Sequence, residues 1–221
     1  SFNHRSCMVF IFRVLSLFPL RVLHALGAVL GRLVYWLSPT YRRHLRANLA
    51  QAGLGSSLRG RVAAETGKQM LERARIWVRP VEEAIPLVAE VVGWEHVEAA
   101  QQAGKGIVFL TPHLGCFEIT AQYLSFFGDI TVLYRPPRLA AAQELILAGR
   151  KREHLHLAPA DLSGVRSLIK ALKKGAMVGM LPDQAPKTGE GVWLKFFGRY
   201  AYTMTLAARL TETGAASLLT W

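Results

Sequence analysis

A histidine followed five residues later by a carboxylate, His113 and Glu118 in GIVFLTPHLGCFE (residues 106–118), is the pair in this chain best placed to move a proton. Residues 107–110 are short, continuously apolar and bounded by Gly106 and Thr111-Pro112, as a strand buried on both faces should be. From Phe117 to Phe127 apolar residues recur at mostly helical spacing, which puts Glu118 in or near a first helical turn, where negative charge is favoured. Two residues five apart on one regular helix point about 140° from each other, so a dyad needs His113 on the preceding loop. There the carboxylate can accept from one ring nitrogen, fix the tautomer and stabilise the imidazolium, while the other nitrogen takes a hydroxyl proton. This is the base and orienting acid of a hydrolase triad without its serine. The nucleophile is then a hydroxyl of the substrate, and the chemistry is acyl transfer to an alcohol with no obligatory acyl-enzyme.

Spacing alone carries little. Seven histidines and 15 acidic residues in 221 positions give about 0.5 such pairs by chance. The second pair present, His156 and Asp161 in HLHLAPAD, is interrupted by Pro159 and has no buried strand running straight into the histidine, so it reads as coincidence. The plain alternative for His113 and Glu118 is a pair that satisfies local hydrogen bonds. Cys116, inside the same stretch, reads as a small residue packing a helix start rather than as a nucleophile.

The elements that must position these groups follow an α/β pattern. From Val88 onward, short apolar runs alternate with helical segments: VAEVVGW, a helix near 95–102, IVFL, a helix to Phe127, ITVLY, a helix near 139–152, a helix over 162–174, then MVGML. The expectation is a mostly parallel central sheet flanked by helices, with the ligand site beyond the carboxyl ends of the strands. His113, Arg135 and Asp183 each follow an apolar strand directly, so three strands deliver a base, a cation and an acid to one edge.

Upstream of the sheet, residues 7–37 are strongly apolar but punctuated by Arg13, Arg21 and Arg32, and the longest uncharged interval between these arginines is ten residues. A standard transmembrane helix needs ~20 predominantly apolar residues, so an interfacial, arginine-flanked helix pair broken near Pro19 is the first reading. A tilted or snorkelling anchor and an ordinary buried helix are the alternatives. Residues 41–51 form a basic helix, 53–60 a glycine- and serine-containing connection, and 61–78 another helix ending before Pro80. Three regions result: membrane-associating helices over 1–40, a basic helical segment over 41–87, and an α/β core over 88–221.

Composition supports a lipid setting. The chain is 51% hydrophobic with mean hydropathy +0.21, apolar for a soluble domain of this size. The net charge of +12 is concentrated at the start: residues 1–80 hold 13 Lys+Arg and two acids, residues 81–221 hold 14 and 13. Such asymmetry fits anionic lipid or an acidic partner. Nucleic acid is disfavoured, because the basic residues are interleaved with a very apolar stretch and no zinc-finger or RNP-type motif is present. Two cysteines, Cys7 and Cys116, imply no disulfide framework.

Several motifs in order resemble one family: SLFPLRVLHALGAVLGRLVYWLSP, NLA (48–50), GIVFLTPHLGCFE, VLYRPPR, GRKREH, LPDQ, GVWLKFFGRYAYT and ARLTETGA. The set is similar to the late acyltransferases of lipid A biosynthesis, lauroyl or myristoyl transferase type, within the lysophospholipid acyltransferase superfamily, and covers nearly the whole chain. The resemblance implies a glycerolipid acyltransferase-like fold and transfer of a fatty acyl group from acyl-carrier protein to a hydroxyl of a lipid A precursor, at the cytoplasmic face of the bacterial inner membrane. It makes His113 the base, Glu118 its partner and Arg150, in GRKREH, the group that stabilises the thioester oxyanion. Arg135 either shares that role or holds phosphate.

By the same resemblance Asp183 and Gln184 match an acid-glutamine pair that stands where glycerolipid relatives carry Pro-Glu-Gly, which weighs against a lysophosphatidate acceptor. Gly191, Phe197 and Thr203, in the GVWLKFFGRYAYT stretch, are candidate substrate-binding residues; aromatic core packing is the alternative for Phe196, Phe197 and Trp193. No metal or redox cofactor is implied, only acyl-carrier protein or coenzyme A as carrier of the acyl co-substrate. Family members run longer at the C-terminus, so a chain stopping at Trp221 inside ASLLTW, itself strand-like, reads as truncated. Two rival functions stay open: transfer from acyl-coenzyme A to another glycolipid or lysophospholipid, and a non-catalytic lipid-binding member of the fold.

Overall fold

The structure is a computed structural model that describes residues 4–135, 143, 147 and 153–220. Helices α1 (His4–Ser16) and α2 (Leu20–Leu37) are separated at Pro19, and α3 (Pro39–Gln51) follows directly. Ser38 starts α3 by accepting from the Tyr41 backbone N–H, with Pro39 in the first turn, where its missing N–H costs nothing. The long helix α4 (Arg59–Val78) and the short helix α5 (Val81–Ala84) complete the N-terminal part.

The tightest packing in this part is between α2 and α4. Leu23, Gly27, Ala28, Gly31 and Tyr35 form the buried stripe of α2. A Cβ at Gly27 would lie 2.5 Å from the Gly67 carbonyl oxygen, and one at Gly31 would strike the Ala63 carbonyl. The backbones therefore touch, a crossing that only glycine-sized residues allow. Outside this stripe α2 presents apolar side chains outward, including Val29, Leu30 and Leu33, among Arg21 and Arg32, and Phe10 and Val14 of α1 are exposed in the same way. With 18 residues and a mean hydropathy of 1.3, α2 is long and apolar enough to cross a membrane by length and composition.

Downstream come α6 (Trp94–Gln102), β1 (Ile107–Leu110), α7 (Glu118–Leu124), β2 (Ile130–Tyr134), β3 (Leu155–Pro159), α8 (Leu162–Lys173), β4 (Met177–Met180), β5 (Gly191–Phe196), β6 (Arg199–Met204), α9 (Leu206–Thr211) and β7 (Ala216–Leu219). Five strands form a parallel sheet in the order β3-β2-β4-β1-β7, while β5 and β6 make a separate antiparallel hairpin. The expected mostly parallel sheet flanked by helices is thus found.

Alternating side chains divide the core. Ile107 and Phe109 of β1 pack with Val97, Leu124 and Ile130 on one face, and Val108 packs with Leu168, Leu172 and Val178 on the other. Each such aliphatic or aromatic side chain contributes about 1.5–3 kcal/mol by leaving water.

The stretch 88–94, expected as a strand, is extended only into a loop. Gly93, at φ 82°, ends it and starts α6, and Val92 is 86% exposed. Val91 and Val92 lack the sheet neighbour that burial requires, whereas Trp94 opens α6 and packs against the core. The expected helix near 139–152 lies mostly outside the described residues.

Candidate active site

Parallel pairing explains why the site forms. Leu110 of β1 stands opposite Met180 of β4, so His113 and Asp183 each lie three residues beyond the same register point on adjacent strands. The Thr111 backbone N–H donates to the Met180 carbonyl at 3.0 Å, carrying the pairing one residue past the strands. Arg135 leaves β2 on the other side of β4 and is exposed. The base, acid and cation read from the sequence thus come from three neighbouring strand ends.

Asp183 grips His113 in two places. One carboxylate oxygen accepts from the His113 backbone N–H at 2.8 Å, and the other lies 2.8 Å from ring Nδ1. Because an ionised carboxylate only accepts, Nδ1 carries the proton and Nε2 offers its lone pair. The Gln184 amide nitrogen, 3.3 Å from Nε2, donates to that lone pair. Burial alone would push the Asp183 carboxyl up, but the His113 backbone N–H and ring hold it below the usual carboxylate range. Phe117 packs its ring against the imidazole, centroids 4.6 Å apart.

Glu118, the expected partner of His113, opens α7 as a buried residue and accepts from the Trp77 indole N–H at 3.0 Å. The ring nitrogens of His113 face Asp183 and Gln184 instead. The physical reason is the loop: Gly115, at φ 51°, turns the chain so that α7 begins with Glu118 pointing back toward α4. His156 and Asp161 do not form a pair. Asp161 caps α8 through the Ser163 and Gly164 N–H groups, and His156 reaches Asp129 at 3.3 Å.

A cleft of about 470 Å³ is lined by the His113 loop and by α4 and reaches His24 of α2. On its wall His24 Nε2 meets Glu72 at 2.9 Å. The Cys116 thiol also lines it. Burial first, then the adjacent Glu72 carboxylate, push that thiol up to about 12, so a thiolate nucleophile is not available there at neutral pH. Sequence reasoning missed Gln69, Glu72 and Trp77, which carry no local motif and lie more than 40 residues upstream of Gly115, Cys116 and Glu118, the residues they touch in the His113 segment.

Of the other candidates, Gly191, Phe197 and Thr203 belong to the β5–β6 hairpin. The Gly191 N–H donates to the Tyr202 hydroxyl, the Thr203 hydroxyl bonds the Ala201 carbonyl, and Phe197 occupies the turn with φ 47° and an exposed ring. None of the three lines the cleft at His113. Arg150 lies outside the described residues. Among the described residues no cluster of three or more His, Cys, Asp or Glu side chains could hold a metal.

Residues 3–221 match the family described as bacterial lipid A biosynthesis acyltransferase. The chain belongs to that family. It is similar to a lipid A biosynthesis acyltransferase of Haemophilus influenzae, 29% identical over 134 residues, covering 59% of this chain and 41% of the relative. It is also similar to a lipid A biosynthesis lauroyltransferase of Escherichia coli, 25% identical over 208 residues, covering 91% of this chain and 67% of the relative.

Proposed function

We propose that this chain transfers a fatty acyl group from acyl-carrier protein to a hydroxyl of a lipid A precursor, at the cytoplasmic face of the inner membrane, against anionic lipid. The observation that carries the reading is the His113 imidazole at the carboxyl edge of the sheet, its Nδ1 on Asp183 and its Nε2 lone pair turned to a donor, in a chain of the lipid A acyltransferase family.

The chemistry follows from that tautomer. An acceptor hydroxyl takes the place of Gln184 at Nε2 and gives up its proton as its oxygen attacks the thioester carbonyl. The tetrahedral intermediate collapses with cleavage of the C–S bond, and the imidazolium returns the proton to the departing thiolate. Asp183 holds the ring and stabilises its charged form. Glu118, the orienting carboxylate read from the sequence, is held on the α4 side of the loop by the Trp77 indole N–H. Arg150 is the proposed oxyanion partner, with Arg135 sharing that role or holding phosphate; a preorganised cation at a developing oxyanion is typically worth about 3–4 kcal/mol. Gln184, Gly191, Phe197 and Thr203 remain proposed substrate contacts. The step consumes no metal or redox cofactor, only the acyl thioester.

Incubation of the purified full-length protein with acyl-carrier-protein thioester and lipid A precursor, followed by mass spectrometry of the lipid, tests the proposal. An added acyl chain that disappears in His113→Ala is the expected result. Transfer only from acyl-coenzyme A, or no thioester consumption above background, would move the assignment to one of the rival functions.

A further inference from the structure

One face of α4 makes contact after contact with the segment that carries His113. Gln69 donates from Nε2 to the Gly115 carbonyl at 2.8 Å and lies 3.5 Å from the His113 carbonyl. Glu72 meets the Cys116 thiol, and the Arg73 guanidinium sits over the Phe117 ring at 5.4 Å. The Ile76 carbonyl accepts from Gln122, and Trp77 donates to Glu118. Positions 69, 72, 73, 76 and 77 follow the i, i+3, i+4, i+7, i+8 rhythm of a single helix face. The loop has little holding it internally: within residues 111–115, the backbone bonds are Thr111 to Met180 and Leu114 to Pro112.

We infer that Gln69 is a positioning residue for the acyl transfer, acting through His113. Its amide is the α4 group that reaches the backbone of His113 itself. By tying the carbonyls of residues 113 and 115 to a helix, it sets the plane of the loop and hence the direction of Nε2. Asp183 fixes the same residue from the opposite side, through the N–H. The imidazole is thus held between a helix donor and a sheet-edge acceptor, and removing either leaves a swinging base. Because a displacement of ~1 Å of a catalytic group can cost on the order of 10²-fold, the effect should appear in turnover.

The inference rests on His113 as the base, and the experiment separates the two. Steady-state kinetics of the full-length protein are compared for wild type, His113→Ala, Gln69→Glu and Gln69→Lys, with thermal unfolding of each. Glutamate keeps the size of glutamine but turns an acceptor toward two carbonyls, whereas lysine keeps a donor with the reach to meet them. Gln69→Glu should lower kcat roughly 10- to 100-fold with KM for both substrates within about two-fold, and Gln69→Lys should recover most of the loss. A Gln69→Glu enzyme with wild-type kcat, a loss carried by KM, or equal losses in both variants overturns the positioning role while an inactive His113→Ala leaves the base in place. Full turnover in His113→Ala overturns both.

Discussion

The Asp183 carboxylate holds His113 by backbone and ring at once, with both contacts at 2.8 Å. A carboxylate used this way fixes the position of the residue as well as the tautomer of its ring. Replacing it with an amide should weaken both. Asp183→Asn is therefore expected to lower kcat by on the order of 10²–10⁴. Glu118→Gln, which can still accept from Trp77, should lose less. The comparison is a steady-state assay of both variants; a larger loss in Glu118→Gln would give the orienting role back to Glu118.

The same pair makes stability depend on pH in a definite direction. Asp183 has a folded-state pKa below its ordinary value despite the opposing effect of burial. Its contribution is complete above the ordinary carboxylate value of about 4 and is lost as pH falls through the lower, folded-state value. The stability difference between wild type and Asp183→Asn should be flat above about pH 4 and shrink below it, as read from urea midpoints at successive pH values. A difference that grows toward low pH would contradict the assignment.

What the sequence made legible was the sheet edge, and what it hid was the pairing across it. IVFL, ITVLY and MVGM are apolar runs short enough to be read as buried strands, and the residues after them are visible as a base, a cation and an acid. Choosing the partner of His113 needs the strand order, because Asp183 is 70 residues away and becomes a neighbour only through β1 pairing with β4. Glu118 is near in sequence, but which of its neighbours it meets is set by the turn at Gly115, a glycine at positive φ. The α4 contacts were hidden for the same reason: Gln69 and Trp77 are ordinary helix residues until the loop is laid against them. Residues 88–93 show the opposite case, since apolar composition does not bury Val91 and Val92 where no strand stands beside them.

The environment of Cys116 yields a chemical test. A thiol pushed up to about 12 holds about 10⁻⁴ of its population as thiolate at pH 8, so alkylation by iodoacetamide should be slow in the native protein and fast in urea. Peptide mass spectrometry distinguishes Cys116 from Cys7. Rapid native labelling of Cys116 would mean that Glu72 and the buried surroundings do not suppress ionisation as described.

The crossing of α2 and α4 tolerates no side chain at its centre. A Cβ on Gly67 would strike the Gly27 carbonyl, which is backbone and cannot rotate away. Gly67→Ala should destabilise the protein by about 1–3 kcal/mol through separation of the helices. Gly60, in the same helix, has nothing within 4 Å of an added Cβ, and Gly60→Ala should stabilise by up to about 1 kcal/mol through helix propensity. Equilibrium unfolding of the pair separates packing from propensity. Equal shifts in the two variants would show that the crossing is looser than its geometry.

The outward faces of α1 and α2 carry the last prediction. Val29 and Leu33 are exposed and lie off the stripe that packs on α4, so their exchange for serine leaves the helix crossing intact. The surrounding segment is basic, with 13 Lys+Arg against two acids in residues 1–80. An apolar face flanked by arginines binds a lipid surface through both burial and charge, and the charged part is screened by salt. Co-sedimentation with vesicles containing phosphatidylglycerol should show binding that weakens as salt rises and falls about tenfold or more in the Val29→Ser, Leu33→Ser double variant. Binding that ignores salt yet needs both apolar residues would indicate insertion of α2 across the bilayer. Binding unchanged in the double variant would mean that this face does not meet lipid.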